Sequence, residues 1–489
     1  MQCNIRTFCK AGAKQGVSIK NKFNVRAEIT VFLTLLFGIM SALTLTVIES
    51  ARNQVTRIQV ERVMQTAIHS CFSEYNQDLL SCYDILAIDS SYRMREGSVT
   101  NVREHLRDYA EENLKSDYPE REGSEWLRLS VNETELHQYE LLSDNGGEPL
   151  LNQICDYMMS GEGENGGLLP SRSELQSIKN FMSIRSDGEF MSCFSDALSK
   201  SGALDNPAEE IFGVAVSGNI LDLVMRGEYD YKTFPTDCPS KRSLKRGTAR
   251  DTQPGTHRRN REWEKGTLQG GDEEYILQAY LMEKFSNCVN PKGHSYMAGE
   301  TEYLIMGKLS EDDSIEECGR WILAEREMNN LESLEENEEV LIETEELANQ
   351  LCFDGTGNVY YTQLSLIYAW TYVESVLEVS RLYHGGAVDI SRGKSNPEIS
   401  LSDILEFREH LGEGGGTGMN YSKILSGMLM YVDSRTKLSR SMDIIEMNMN
   451  YLGHEGFRVD GCVTFFKAKM TVTSEYGHDC EIEREYGYY

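Results

Sequence analysis

The sequence predicts an α+β, mainly helical protein. An N-terminal transmembrane helix continues into a long amphipathic helix and leads to an ectodomain of helices with a small antiparallel sheet, including a C-terminal hairpin. Three observations support this. Ile29 to Ile48 reads ITVFLTLLFGIMSALTLTVI, twenty residues without a charge, close to the roughly 20 needed to cross a hydrocarbon core. Apolar residues recur at helical spacing through much of the remaining chain. The closing stretch from Cys462 alternates with a period of two instead.

Composition sets the bounds. A chain of 489 residues has room for an anchor and two or three folding units. With 40% hydrophobic residues and 25 Tyr it can build real cores. The net charge is −30, although Arg6, Lys10, Lys14, Lys20, Lys22 and Arg26 precede the anchor. The part beyond the anchor is therefore more acidic than the whole, which repels nucleic acid and favours cations or basic partners. Of 12 cysteines, ten follow the anchor, and none forms a CxxC pair. That spacing leaves disulfides open and carries no metal or redox signature, and no cofactor is implied.

Taken in order, residues 1–27 form a basic cytoplasmic segment and 28–48 the anchor. Positive charges before the span and Glu49 after it predict a cytoplasmic N-terminus, a single pass through the cell membrane and an extracytoplasmic C-terminal bulk. A cleaved signal peptide is the alternative, but its apolar run is shorter and is followed by a small-residue site. No glycine lies between Gly38 and Gly97 and no proline before Pro119, so residues 49–92 extend the helix. An unbroken helix from Ile29 to Leu86 would be on the order of 85 Å long at 1.5 Å per residue.

Val60, Met64, Ala67, Ile68, Cys71 and Tyr75 fall on one stripe of that helix, with Arg57, Glu61 and Arg62 among its polar positions. The residues that point to anchoring and subunit contacts are Glu28, Glu49, Arg52, Arg57, Glu61, Met64, Ile68 and Tyr75. Membrane lipid is one partner, and self-association through this helix is another. An ordinary amphipathic helix packed on its own domain explains the stripe equally well. Glu28 also reads as a snorkelling residue at the membrane boundary.

Residues 93–232 read as a mostly helical region, including 100–160. Residues 233–272 form a flexible basic loop, too poor in aromatics to suggest nucleic-acid binding. Residues 273–489 form a C-terminal α+β region. Within it, Tyr275 to Phe285 predicts a short helix and Thr301 to Met306 a short strand. Ser310 should N-cap the next helix, and the glutamate run from Glu332 to Glu346 reads as a solvated helix face or linker. Leu364 onward predicts a helix ended by Gly385, with Glu374, Glu378 and Arg381 excluding a second span. GEGGGTG at 412–418 lacks the Lys-Ser/Thr of a phosphate-binding loop and reads as a hinge or linker. Tyr421 to Leu452 returns to helical spacing. The final strand alternates Phe466, Ala468, Met470 and Val472 with Lys467, Lys469 and Thr471, and a turn near Gly477 should place Cys480 opposite Val472.

No catalytic signature is present: the chain has no GxSxG, HExxH or GxGxxG after a strand. His384 before two glycines could open an oxyanion loop, but a histidine at a helix C-terminus explains it more simply. Abundant acidic residues leave an anchored hydrolase of cell-wall polymers as the alternative to a non-enzymatic role.

EITVFLTLL, VIESAR, SEYNQDLL, YDILAID, EYLIMGK, AWTYVESVLEVSRLYHGG, YSKILSGMLMYVD and SMDIIEMNMN occur in an order that resembles uncharacterised Gram-positive proteins with one anchor. These are associated with tight-adherence (Tad/Flp) pilus and type II secretion-like loci and are similar to TadE/TadG pseudopilins. The resemblance covers the first 90 residues and much of 275–465. It implies a non-enzymatic role in pilus assembly or secretion, with membrane proteins of that machine as partners. Pilins usually have a cleaved glycine before the mature chain, whereas Ala27 directly precedes Glu28. The implied role is therefore a pseudopilin-like accessory anchor rather than a processed major pilin.

Overall fold

Helix α1 (Asn21–Phe72) runs for 52 residues, about 78 Å at 1.5 Å per residue. The computed structural model describes residues 21–92, 97–115, 128–160, 172–182, 188–225, 230–235, 272–353, 355, 357–390, 396–412, 414–475 and 477–488, the side chains of 21–28, 172, 181 and 272 excepted. The basic loop lies almost wholly outside these residues. So do most of the cytoplasmic segment and Cys238.

The expected unbroken spine to Leu86 is corrected: α1 stops at Phe72. The breaker is neither glycine nor proline. Ser73 Oγ turns back to the His69 carbonyl at 2.7 Å, and Asn76 N-caps a separate helix α2 (Gln77–Tyr83) by accepting from Leu79 N at 3.0 Å. An Asx cap satisfies the first free N–H groups of a new helix and so competes with continuing the old one.

Two units share the chain. One comprises Met1–Thr66, Ala110–Glu133 and Met470–Ile482; the other comprises Ala67–Tyr109, Thr134–Lys469 and Glu483–Tyr489. Strand β1 (Ile88–Asp89), helix α3 (Val99–Leu114) and strand β2 (Leu129–Leu141) follow α2. The last is a correction, because 100–160 reads as mostly helical in sequence. LSVNETELHQYEL has too few apolar residues to announce a strand, and its conformation is imposed by pairing with a distant partner.

That partner is β5 (Cys462–Ser474), the central strand of a four-stranded sheet that also pairs with β1 and with β6 (Asp479–Gly487). Ile88 stands opposite Val463. Ser474 N donates to the His478 carbonyl and Tyr488 N to the Thr464 carbonyl. This register puts Val472 opposite Cys480, as the spacing predicts. From Phe466 to Val472 the strand buries alternate residues. Among the described residues Cys71, Cys82, Cys155, Cys193, Cys288, Cys318, Cys352, Cys462 and Cys480 are free thiols.

The larger unit is built around α13 (Val359–Tyr383), which buries most of its side chains. Around it pack α6 (Glu189–Ser201), α7 (Pro207–Ser217), α8 (Ile220–Val224), α11 (Glu311–Glu335) and α12 (Glu338–Leu351). Asn358 caps α13, accepting from Tyr360 N at 3.1 Å, and Trp370 Nε1 donates to the Ile399 carbonyl at 3.0 Å. The glutamates from Glu332 to Glu346 lie on exposed faces of α11 and α12, as expected. Asn337 separates the two helices by capping α12.

Two further expectations fail. Residues 300–306 form a helix, α10 (Glu300–Met306), rather than a strand. All six residues from Glu300 to Ile305 are buried, so no periodicity marks the segment, and Gly307 at φ +71° closes it. The helical stretch 421–452 is two helices, α14 (Tyr421–Leu429) and α15 (Ser434–Tyr451), because Asp433 accepts from Thr436 N at 2.9 Å and starts a new one. The glycine loop is tied down rather than a free hinge. Gly415 O accepts from Ala387 N at 2.8 Å, beside the short pair β3 (Ala387–Val388) and β4 (Met419–Asn420). A Cβ on Gly416 would collide with the Ala387 carbonyl. Helices α4 (Glu148–Met159), α5 (Arg172–Phe181) and α9 (Asp272–Lys284) complete the unit.

Candidate functional site: the anchor helix and its seat

The first part of α1 is long and apolar enough to cross a membrane, and no residue of its most apolar window is buried. Phe32, Phe37 and Leu45 are each more than 60% exposed. An unsatisfied hydroxyl is costly in hydrocarbon. The threonines avoid that cost: Thr34 donates to the Val31 carbonyl at 2.9 Å, Thr44 to Met40 at 3.0 Å and Thr46 to Ala42 at 2.8 Å. These three hydroxyls are thus satisfied within the helix while the apolar side chains around them face outward.

Beyond Ile48 the helix changes character. Glu49 is exposed and lies 3.2 Å from His478 Nε2. Arg52 and Glu61 are half-buried and Arg57 is exposed. Thr56, Val60, Val63, Met64, Ala67 and Ile68 are buried, so the apolar stripe faces inward, as for an amphipathic helix packed within its own chain. Met64 and Ile68 are therefore covered. Tyr75 lies past the end of α1, where it bridges to Ile88, and does not share the stripe. Glu28 is within α1, but its side chain lies outside the described residues.

The end of α1 is held by aromatic residues not singled out in the sequence. The Phe72 ring stacks on Phe466 at 4.8 Å and meets Tyr486 and Tyr488 edge-on at 4.9 and 5.0 Å. Tyr488 donates its hydroxyl to the Phe72 carbonyl at 2.5 Å, one of the orphan acceptors at a helix C-terminus. The tyrosines of EYGYY were the available signal, but their partner is 416 residues away in the chain.

Just beyond, the Glu74 carboxylate gathers two donors from α3. Tyr109 donates at 2.6 Å and His105 Nδ1 lies at 3.2 Å, their spacing of four placing both on one helix face. The hydrogen bond to Glu74 pushes the Tyr109 hydroxyl up to about 12. Tyr92, at φ +46°, lays its ring 3.6 Å from that of His105.

The interior carboxylates bear on the hydrolase alternative. Glu300 accepts from Ser286 N at 2.8 Å, and Glu302 from Cys288 N at 3.0 Å and the Tyr421 hydroxyl at 2.9 Å. Glu311 takes Gly299 N and Lys232 N, each at 2.8 Å, Glu374 takes Glu398 N and Ile399 N, and Glu446 takes Val459 N. Burial pushes the Glu300 carboxyl up to about 7. These groups fasten loops to helices. At the end of α13, His384 Nδ1 donates to the Ser380 carbonyl at 2.7 Å, consistent with a helix-end role.

Residues 199–474 match the model of a family of unknown function, DUF5702. The chain belongs to this family. The DUF5702 region begins at the end of α6 and finishes at the last residue of β5, so it takes in α13 and the interior carboxylates but not α1. No curated protein and no solved structure matches the chain.

Proposed function

We propose that this chain is an anchored, non-enzymatic component of a Tad-like pilus assembly or secretion machine. In this reading α1 crosses the cell membrane once, with a cytoplasmic N-terminus, and the DUF5702 region lies outside. The observation that carries it is the division of labour along α1: an apolar first half left uncovered by its own chain, and a second half with one face buried and its end seated on antiparallel strands. A protein whose spine is half seated and half bare supplies its own mount and leaves the rest to lipid or to helices of other membrane subunits. Self-association uses the same bare surface. The resemblance of the segments around residues 28–90 and 275–465 to pseudopilin-like proteins supplies the machine. Nucleic acid is disfavoured by the net charge of −30. The hydrolase alternative has less support, since the interior carboxylates described above accept from backbone N–H groups.

Photo-crosslinking in cells from Arg57 and Glu61 tests this. Capture of pilus or secretion membrane proteins is the expected result. Adducts to lipid or wall material alone, together with unchanged filaments and secretion on gene deletion, would overturn it.

A further inference from the structure

Helix α11 carries two carboxyls into the interior, and neither forms an ion pair among the described residues. Glu325 is 2% exposed and its Oε2 has no hydrogen-bond partner. Glu327 is 6% exposed, and no hydrogen bond or ion pair holds it among the described residues. Arg326 between them is engaged elsewhere: its Nε lies 2.6 Å from Glu378 and its terminal nitrogen donates to the Asp389 carbonyl at 2.8 Å. Burial and then the charge of Glu325 push up the hydroxyl of Tyr431, in the turn between α14 and α15. The Trp321 ring is 5.5 Å from Tyr431, and Lys179 of α5 is 5.4 Å from the same ring. Burial and then the charge of Glu327 push up the hydroxyl of Tyr372 on α13, which Arg408 of the 3-10 turn Leu401–Glu409 opposes. An ionised carboxylate in such surroundings is strongly penalised, and the group keeps its proton instead.

We propose that the central turn of α11 is a proton-held clasp: Glu325 and Glu327 are neutral while the helix is packed, and their ionisation frees it from α13 and from the 430–433 turn. Burial pushes both carboxyls up to about 8, with Arg326 offsetting only part of the effect at Glu325. In the released state both return to the ordinary value of 4.5. The released state therefore binds fewer protons between these values. The clasp holds fully below pH 4.5 and weakens as pH rises through about 8.

Hydrogen exchange of the full chain in lipid nanodiscs, corrected for intrinsic rates, tests this at pH 6 and pH 9. Amides of residues 320–335 are expected to open about a hundredfold more often at pH 9 for each carboxyl that ionises, because pH 6 lies about two pKa units below the packed value of about 8. Glu325→Gln with Glu327→Gln, which mimics the protonated side chains, should remove that dependence. Glu327→Gln alone should reduce it, and Glu332→Gln on the exposed face should leave it intact. Equal protection at both pH values in the unaltered chain, or an unchanged dependence in the Gln variants, overturns the proposal.

Discussion

Glu378 and Arg326 show what one side chain can reveal in sequence and what it cannot. In the sequence, Glu374, Glu378 and Arg381 rule out a second membrane span, and that reading needs nothing beyond the helix itself. The structure adds that Glu378 is buried and pairs with Arg326, 52 positions away, while Arg381 forms a two-pronged pair with Glu398. Neither partner is legible from spacing, because both depend on how helices meet. A buried ion pair is costly to break from one side, since the surviving charge is left in a poor solvent. Glu378→Leu should therefore destabilise the larger unit by about 3–5 kcal/mol, whereas Arg326→Met with Glu378→Leu should recover most of that loss. Urea unfolding of the two variants measures the difference; equal losses would mean that the pair is not coupled. Gly427 is a second such residue, buried on α14 where a Cβ would strike the Ile178 side chain. Gly427→Val should cost about 1–3 kcal/mol through overpacking, seen as a lowered Tm.

At the scale of elements, period decided what could be read. The apolar first half of α1, α13 and the closing hairpin announce themselves through long apolar runs or strict alternation. The register of Val472 opposite Cys480 follows from turn position alone. Helix α10 does not announce itself, because a segment buried on every side shows no period, and β2 does not, because its polar residues form a strand only by pairing with β5. Breaks at Ser73–Asn76 and at Asp433 are missed for a related reason: Asn and Asp act as caps only when their side chains turn inward. The seat of α1 makes the strongest element-scale prediction. Phe72→Ala removes the ring on which Phe466, Tyr486 and Tyr488 converge and should cost about 3–5 kcal/mol. It should also raise hydrogen exchange in β6 more than in α13. Equal changes in both elements would count against a local seat.

For the whole molecule, each of the two units is assembled from three separate stretches of chain, so the linear segmentation suggested by composition does not describe how residues share a core. Loops rich in glycine or charge mark where the chain changes direction, yet they are silent about which distant stretches meet. What composition does carry to this scale is the net acidic charge of the chain beyond α1, to which the exposed glutamates of α11 and α12 contribute. A chain truncated after Ser474 should keep α1 but lose β6, one of three strands paired with β5, and the tether to Phe72. Limited proteolysis is expected to cut such a chain between His69 and Tyr75 faster than the intact one, and an unchanged rate would argue that α1 is held by other contacts.

The hydroxyl of Tyr488 on the carbonyl of Phe72 also sets an order of events. The helix made first is fastened by residues made more than four hundred positions later, so for most of synthesis its end is unseated. Contacts of such sequence separation form late and slowly. Until they close, the aromatic end of α1 stays open to other chains, which makes the interval before release from the ribosome the moment of greatest exposure to misassembly.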